Sequence, residues 1–287
     1  PQAAQINFGA VGVRSPQGDR HSHTSLGAPS RPVKIATFNI NGINRRLPNL
    51  MDWLADNAPD VVCLQELKAS QRQFPARALE DAGYGAVWKG ESTWNGVAIL
   101  ARDAEPVLTR DTLPGDADDK QARYIEAAVN GILIGCLYAP NGNPRPGPKF
   151  DYKLKWTQRL LDHAHDLWAT GLPVVLAGDY NIVPEPRDIY ETTSYKDNAL
   201  VTSEARDLFR RLVAQGWSDA IRQKFGEETV YTFWDYMRNR WPRNAGLRLD
   251  HLLLSHPLIG KLKSAGVDKS VRGKDGASDH APVWIKV

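Results

Sequence analysis

The sequence predicts an α/β fold in which two packed β-sheets carry helices on their outer faces. From Val33 onward, short apolar or β-branched runs typical of strands alternate with segments that have the period of helices. Eight such runs are too many for one flat sheet in a domain of this size, so we expect two sheets. The 287 residues are 42% hydrophobic and 24% charged, which is the composition of a globular chain with a sizeable core.

The strand-like runs are apolar or β-branched throughout and are short enough for single strands. They lie at residues 33–40, 60–66, 96–101, 124–129, 132–139, 173–178, 249–255 and 281–287.

Three segments between these runs carry an apolar stripe at helical spacing. The stripes consist of Leu47, Leu50, Met51 and Leu54, of Leu160, Leu161, Ala164, Leu167 and Trp168, and of Leu208, Phe209, Leu212 and Val213. The second stripe is followed by Gly171 and Pro173, which is a normal helix stop. Ser203 is expected to cap the third helix at its N-terminus.

Residues 1–32 differ from the rest of the chain. Twelve of them are Gly, Ser or Pro and no hydrophobic period is sustained, so we expect a flexible tail ahead of one domain over residues 33–287. The tail lacks the continuous apolar stretch of roughly 7–15 residues that secretory signals contain. Nowhere does the sequence have the ~18 apolar residues that a membrane span needs. We therefore expect neither export nor membrane association.

Cysteine content and net charge narrow the setting further. Cys63 and Cys136 each lie inside an apolar run, and two buried thiols fit a reducing interior, whereas a zinc site would need more ligands. The net charge is +3, and residues 1–32 carry +2 of it. The body of the chain therefore cannot bind a nucleic acid by bulk charge, and any such contact must use local basic patches.

Polar side chains follow directly after, or stand directly before, several of the predicted strands. Charged groups beside apolar runs are costly to desolvate unless they are paired or metal-bound. Six junctions of this kind predict one polar cluster at one rim of the sheets. The junctions are Asn39-Ile40-Asn41-Gly42, Gln65-Glu66, Tyr138-Ala139-Pro140-Asn141, Gly178-Asp179-Tyr180-Asn181, Asp250-His251 and Ser278-Asp279-His280.

Each junction also has an ordinary structural explanation. Asn39 and Asn181 could be turn residues. Asp250 could be an ion-pair partner of Arg248, and His280 could lie in a surface turn. For any one position the structural explanation is favoured over the functional one. Six coincidences would be needed to explain them all, so we interpret the junctions as one site.

The residue types at the junctions favour metal-assisted hydrolysis of a phosphoester. Carboxylate and amide oxygens suit Mg²⁺, or Mn²⁺ as a substitute, better than zinc. Asp179 and Asn181 are two residues apart, so in extended backbone their side chains point the same way. One histidine with an acidic partner can stabilise developing negative charge on a phosphate. The Gly-x-Ser-x-Gly elbow of many serine hydrolases does not occur in the sequence.

Six short motifs lie along the chain in the order Phe38-Asn39-Ile40-Asn41-Gly42, Leu64-Gln65-Glu66, Gly96-Val97-Ala98-Ile99-Leu100, Gly178-Asp179-Tyr180-Asn181, Leu247-Arg248-Leu249-Asp250 and Ser278-Asp279-His280. In these motifs the chain resembles the exonuclease III family of abasic-site endonucleases. The motifs come in that family's order and extend over residues 33–287. The resemblance implies a four-layer α/β sandwich, the DNase I-like fold, in which two mixed β-sheets are flanked by helices.

The resemblance also implies which residues hold the metal ion and activate water. Glu66 is expected to be the principal magnesium ligand, with Asn39 and Asp279 beside it. Asp179 is expected to orient and deprotonate the attacking water, and Asp179 and Asn181 count among the metal ligands.

Further residues are implied to hold the scissile phosphate. Asn181 and His280 are expected to contact it directly, and Asp250 is expected to orient His280. Tyr138 would contact the phosphate or the leaving group, and Asn141 is the expected phosphate contact in the Pro- and Gly-rich segment that follows.

The segment 231–249 predicts the surface that meets the substrate. Aromatic residues at its start are followed by an arginine-rich stretch that includes Arg240 and contains no acid. Such a surface fits backbone phosphates and unpaired positions in DNA, although an aromatic strand with a solvated basic loop remains the alternative. The resemblance favours Phe233, Leu247 and Leu249 as walls of a pocket for a flipped, baseless sugar.

The implied reaction is hydrolysis of double-stranded DNA 5′ to an abasic site, leaving a 3′-hydroxyl. Exonuclease activity in the 3′→5′ direction and trimming of blocked 3′ ends are expected beside it. The expected enzyme is a monomer. The expected location is the cytoplasm, near the nucleoid of a bacterium, or the nucleus or mitochondrion of a eukaryote.

The chain departs from the family at two positions, and two rival functions stay open. Asn41 stands where some relatives carry Asp, and Leu247 stands where others carry Trp. One rival is another phosphodiesterase of the same fold, acting on inositol phosphates or sphingolipids. The other is a catalytically inactive relative that binds nucleic acid as a regulator. Loss of Glu66, Asp179 or His280 would favour that second rival, and all three are present.

Overall fold

Two six-stranded β-sheets pack face to face in the computed structural model, which describes residues 31–190 and 193–287. The predicted flexible tail falls almost wholly on residues 1–30, outside the described residues. Within the described part, none of the helices has both the length and the apolar character that crossing a membrane requires.

The described residues form twelve strands and seven α-helices, each numbered in chain order. The strands are β1 (Lys34–Asn39), β2 (Val61–Gln65), β3 (Tyr84–Lys89), β4 (Val97–Arg102), β5 (Val107–Arg110), β6 (Tyr124–Val129), β7 (Ile132–Tyr138), β8 (Val174–Asp179), β9 (Ser218–Asp219), β10 (Asp250–Leu254), β11 (Ser264–Val267) and β12 (Val283–Lys286). The helices are α1 (Leu47–Asn57), α2 (Ala76–Asp81), α3 (Pro148–Ala169), α4 (Ser203–Ala214), α5 (Ala220–Phe225), α6 (His256–Ile259) and α7 (Lys269–Arg272).

Both sheets are mixed. The first has the strand order β11-β12-β1-β2-β4-β3 and the second the order β5-β6-β7-β8-β10-β9. In each sheet two central strands run parallel, β1 beside β2 and β7 beside β8, and the other pairs are antiparallel. The prediction of two mixed sheets is confirmed.

The hydrophobic core lies in three layers because side chains alternate across each central strand. On β2, Val61 and Cys63 face the second sheet, whereas Val62 and Leu64 face outward. The outward faces are covered by helices. Trp53 of α1 packs on the first sheet, and Trp156 of α3 packs on the second. The four-layer α/β sandwich is therefore confirmed.

The cap of α4 differs from the prediction. The N-cap residue is Thr202, one position before the predicted Ser203, and its hydroxyl accepts a hydrogen bond from the Ala205 N–H at 3.2 Å. Thr202 is buried, so its bond to the backbone is shielded from water. Either hydroxyl residue satisfies the rules for an N-cap, and the sequence alone does not separate two that are adjacent.

A buried ion network holds β10 to the loops around it. Arg248 is fully buried, and its guanidinium contacts Asp188 at 2.8 Å and Asp219 at 2.6 Å. It also donates to Nδ1 of His251 at 3.0 Å, so the other ring nitrogen donates to the Ile182 carbonyl at 3.1 Å. His251 is therefore neutral in the folded protein. Burial, reinforced by the charge of Arg248, lowers its pKa to about 4.

Acidification should consequently weaken the contribution of His251 to the stability of the fold. The unfolded chain binds a proton at His251 near pH 6.5, whereas the folded protein does so only near pH 4. At this residue the unfolded state therefore holds more protons across the interval, and the contribution of His251 to the free energy of unfolding should fall by up to about 3 kcal/mol as the pH drops through it. Urea titrations at a series of pH values in this range measure the effect.

His251→Gln is the decisive variant, because an amide can make both hydrogen bonds without titrating. It should remove the His251 contribution, so its free energy of unfolding should rise relative to that of the wild type as the pH falls from about 6.5 to about 4. His165→Gln, at an exposed position of α3, should retain the wild-type slope. A wild-type slope in the His251 variant would show that another group is responsible.

Candidate active site

The carboxyl ends of the parallel strand pairs meet at one rim of the sandwich, as predicted. Asn39, the last residue of β1, is fully buried and joins the two sheets through its amide. Its Nδ2 donates to Glu66 Oε1 at 3.0 Å and to Asp179 Oδ2 at 2.9 Å. Its oxygen accepts the Asn41 N–H at 3.1 Å. Asn39 thus bridges the two carboxylates for which the sequence predicts the central roles.

Glu66 is surrounded by donors. Its Oε1 also accepts from the Tyr138 hydroxyl at 2.8 Å, and its Oε2 lies 2.9 Å from the Lys68 ammonium. Burial alone would raise the pKa of Glu66, but the charge of Lys68 and the hydrogen bond from Asn39 bring it below its ordinary value. Glu66 is therefore ionised at neutral pH, which a metal ligand requires.

Several residues of this site have a left-handed backbone conformation, which sets the direction of their side chains. Asn41, Glu66, Lys68 and Asn181 have φ values of 49°, 51°, 49° and 49°. Residues other than glycine adopt this conformation at a cost of about 1–3 kcal/mol each, and such residues cluster at functional sites. For Asn181 it also corrects the sequence argument. Asn181 itself is not extended, and its backbone N–H and its side-chain amide both donate to the Asp179 carboxylate.

Asp179 is buried and opposes Asp250 across the β8–β10 pair. Its Oδ1 accepts the Asn181 N–H at 2.8 Å, and its Oδ2 lies 3.7 Å from Nε2 of His280. Burial raises the pKa of Asp179 to about 7, and the charge of Asp250 acts in the same direction against that of His280. A carboxylate with a pKa near neutrality is suited to accepting a proton during a reaction.

His280 and Asp250 form a buried pair, with Nδ1 of the ring 2.8 Å from Asp250 Oδ2. Two of the structural explanations considered above are therefore wrong: Asp250 pairs with His280, while Arg248 pairs with other carboxylates, and His280 is 3% exposed. Burial would lower the pKa of His280, but Asp250 raises it to about 10. The ring is thus a charged donor on both nitrogens.

Among the residues that the structure describes, one group of acidic and histidine side chains has ligand atoms close enough together to hold a metal ion, and it consists of Asp179, Asp250 and His280. The protonation of His280 argues against this group as the metal site, because an imidazolium has no free lone pair to give to an ion.

The opposite side of Glu66 fits a hard divalent cation better. Lys68 Nζ lies between Glu66 Oε2 and Asn41 Oδ1, at 2.9 and 2.6 Å. Asn41 Nδ2 in turn donates to Asp279 Oδ1 at 2.9 Å. A cationic group thus already lies among carboxylate and amide oxygens, which are the ligands that Mg²⁺ and Mn²⁺ prefer.

Asn141 and Asn181 form a chain of amides beside Asp179. Asn181 Nδ2 donates to the Ala139 carbonyl at 2.8 Å, and its Oδ1 accepts from Asn141 Nδ2 at 3.1 Å. Asn143 continues the chain by donating to Asn141 Oδ1 at 2.7 Å. These contacts hold both predicted phosphate-binding amides in one network.

The predicted apolar walls lie next to His280 but differ in exposure. Phe233 is half-buried, and its ring packs edge-on against the His280 ring at 4.9 Å between centroids. Leu247 and Leu249 are buried beneath it in a small apolar cluster, so in this structure neither presents an open surface. Arg240 is also buried, with Nη2 2.8 Å from Ser194 Oγ and its guanidinium over the Tyr195 ring.

Sequence reasoning missed three charged residues around the cluster. Lys68 contacts Glu66, and Arg123 lies over the Tyr138 ring with 4.8 Å between its guanidinium carbon and the ring centroid. Lys153 lies beneath the asparagine network. Only Lys153 left a clear signal, since it falls on the buried stripe of α3, three residues before Trp156.

Comparison with known proteins places these residues in a family. Residues 36–280 match the model of the endonuclease/exonuclease/phosphatase family. Exodeoxyribonuclease III of Haemophilus influenzae is 32% identical over 88% of this chain and 99% of its own length.

Two solved structures share the architecture over most of their length. A 3′ phosphatase from Neisseria bound to a product DNA hairpin is 39% identical, with a TM-score of 0.84 over 88% of this chain and 98% of that one. An AP endonuclease from Archaeoglobus fulgidus is 32% identical, with a TM-score of 0.84 over the same shares of the two chains.

Proposed function

Since this chain belongs to the exonuclease III group of AP endonucleases within the endonuclease/exonuclease/phosphatase family, and is an enzyme of that kind, we propose its substrate and mechanism. It hydrolyses double-stranded DNA 5′ to abasic sites and leaves a 3′-hydroxyl. It also removes nucleotides and blocking groups from 3′ ends. The observation that best supports this proposal is the position of Asp179 beside the charged His280. The pKa of Asp179 is raised to about 7, and its Oδ2 lies 3.7 Å from Nε2 of His280.

In this proposal Asp179 acts on the attacking water, and His280 acts on the phosphate. Asp179 orients the attacking water and takes its proton, because its carboxylate is desolvated and basic. The His280 imidazolium, held by Asp250, donates to the phosphate oxygens as negative charge grows on them. Asn141 supplies a neutral amide donor to the same phosphate once its Nδ2 exchanges the bond to Asn181 Oδ1 for it. Asn181 supplies the N–H of its Nδ2 that now makes a long contact of 3.4 Å with Asp179 Oδ2.

Mg²⁺, or Mn²⁺ in its place, would be held by Glu66 and Asp279, with Asn39, Asp179 and Asn181 as further ligands. When bound, the ion would polarise the phosphate and offset its charge. Lys68 would have to yield part of its contact with Glu66. Tyr138 keeps its proton, because burial and the neighbouring Glu66 raise the pKa of its hydroxyl well above the ordinary value, so it acts as a donor.

The substrate side of the proposal rests on the relatives and on the surface beside His280. The Neisseria structure contains product DNA, and the Archaeoglobus protein is an AP endonuclease. Phe233 offers a half-exposed apolar ring at the catalytic pair, where a sugar without a base would lie. We propose that the enzyme acts as a monomer on duplex DNA.

A gel assay tests the proposal. One end-labelled duplex carries a single abasic analogue, and it is compared with an intact duplex and with one ending in a 3′-phosphate, each with Mg²⁺ and with EDTA. We expect a single Mg²⁺-dependent cut on the 5′ side of the analogue and loss of the 3′-phosphate. Release of phosphate from an inositol polyphosphate with no DNA cut would instead assign the enzyme to another branch of the fold. Binding of DNA without turnover would indicate a regulator.

A further inference from the structure

Lys153 is a cation buried beneath the active site. It lies on the inner face of α3, is 0% exposed and directs its ammonium at three backbone carbonyls. The Nζ atom lies 2.6 Å from the oxygen of Asn181, 3.0 Å from that of Ala199 and 3.1 Å from that of Asn141. Three carbonyls use all three N–H groups of an ammonium, so the geometry needs the charged form.

Packing alone does not require a lysine at this position. Trp156 and Leu160, on the same face of α3, fill the layer between helix and sheet with apolar side chains. Burying an ammonium costs several kcal/mol unless its hydrogen bonds replace those with water. Burial accordingly lowers the pKa of Lys153 to about 7, against the opposing effect of the Asp179 charge. The free energy needed to bury this ammonium indicates that its hydrogen bonds to the three carbonyls have a role that an apolar side chain could not fill.

The three carbonyls belong to three separate segments of the chain. Asn141 follows β7, Asn181 follows β8, and Ala199 precedes α4. The segment after β7 is fitted closely around the lysine. Gly142 has a φ of 87°, and a Cβ at this position would lie 2.6 Å from Cδ of Lys153. The lysine therefore joins segments that share no strand pairing at this point.

We propose that Lys153 is a positioning residue that fixes the backbone of Asn141 and Asn181, so that their side-chain amides meet the scissile phosphate together. The inference rests on the proposed phosphodiester hydrolysis. Without the ammonium, the two segments would keep only their direct hydrogen bonds, and the amides would be held less firmly once substrate replaces the bond between Asn141 and Asn181. Misplacement of catalytic groups by about 1 Å can cost about 10²-fold in rate. Binding of the DNA duplex depends on a much larger surface and should change little.

Steady-state kinetics on the abasic duplex test the inference. Lys153→Met keeps the length and apolar stem of the side chain and removes the three donors. We expect kcat to fall by about 10- to 100-fold with KM within about threefold of wild type. Lys155→Met, on the exposed side of the same helix, is the matched control and should leave both constants unchanged.

The outcomes separate cleanly. If the wild-type protein does not cut the duplex, the proposed function fails and the inference fails with it. If the wild type cuts and a folded Lys153→Met keeps kcat within twofold, only the inference is wrong. A rise in KM as large as the fall in kcat would mean general loosening and would also overturn it.

Lys153→Arg is measured in case the Met variant does not fold. Arginine keeps the charge, but its planar N–H groups cannot address three carbonyls in the same way. We expect a smaller fall in kcat with KM unchanged, and a wild-type kcat in this variant would contradict the positioning role.

Discussion

Asp179→Asn should lower the cleavage rate of an abasic duplex by about 10²–10⁴-fold, the range that general acid–base groups supply. The carboxylate is buried, and its pKa of about 7 makes it a base near neutral pH, a property that an amide lacks. Asparagine has nearly the same shape, and its oxygen can still accept the Asn181 N–H. The loss should therefore appear in the rate constant of cleavage measured under single-turnover conditions. The affinity for the duplex, measured by gel shift, should stay within a few-fold of that of the wild type.

Asp166→Asn is the control for the loss of one negative charge. Asp166 is exposed on α3, so its variant should cut at the wild-type rate. Normal turnover by Asp179→Asn would mean that the base is another group. A variant that has lost duplex binding to the same extent as cleavage would argue that Asp179 organises the DNA surface instead.

The sequence predicts the central strands and misses the edges, and the reason is burial. All eight predicted runs correspond to strands that have a neighbour on both sides. The four missed strands, β3, β5, β9 and β11, are the edges of the two sheets. An edge strand is half-solvated or short, so its residues need not be continuously apolar. In β5 all four residues are exposed, including Val107 at 64%.

For the site, the sequence indicates which residues gather but not how they pair. The carboxyl ends of parallel strands meet by topology, so the sequence pattern is enough to group the strand-end residues. The Asn39 bridge and the Asp250–His280 pair join residues far apart in the chain. Which of these residues contact one another depends on the register of the strands, and the positions of apolar runs alone do not determine that register. Lys68 gave no signal because a lysine two residues from a glutamate is common on protein surfaces and usually has no functional role.

The two bridged carboxylates are driven toward different chemistry by their surroundings. Lys68 holds the pKa of Glu66 below its ordinary value, whereas burial and Asp250 raise that of Asp179. Titratable groups whose pKa values are pushed apart are typical of a division of roles. The group that stays ionised is suited to hold a cation, and the one that titrates near neutrality is suited to move a proton. This division underlies the assignment of Glu66 as a ligand.

Glu66→Gln should consequently weaken cation binding and cleavage together. Glutamine keeps the contacts with Asn39 and Tyr138 within reach but removes the charge that faces Lys68. The several kcal/mol that a metal ion contributes to phosphoester hydrolysis predict a fall in kcat of about 10²-fold or more at a fixed, low Mg²⁺ concentration. The Mg²⁺ concentration for half-maximal activity should rise, while binding of the duplex in EDTA should be unchanged.

Calorimetric titration with Mn²⁺ tests whether Glu66 is a metal ligand or acts only through its charge. It measures the affinity for the ion directly, without turnover of the substrate. Glu66→Gln should lose most of the heat of binding that the wild type shows, and Glu80→Gln, exposed on α2, should retain it. Equal Mn²⁺ affinity in wild type and Glu66→Gln, with activity equal at all Mg²⁺ levels, would remove Glu66 from the metal site. The remaining carboxylates, Asp279 and Asp179, would then have to hold the ion between them.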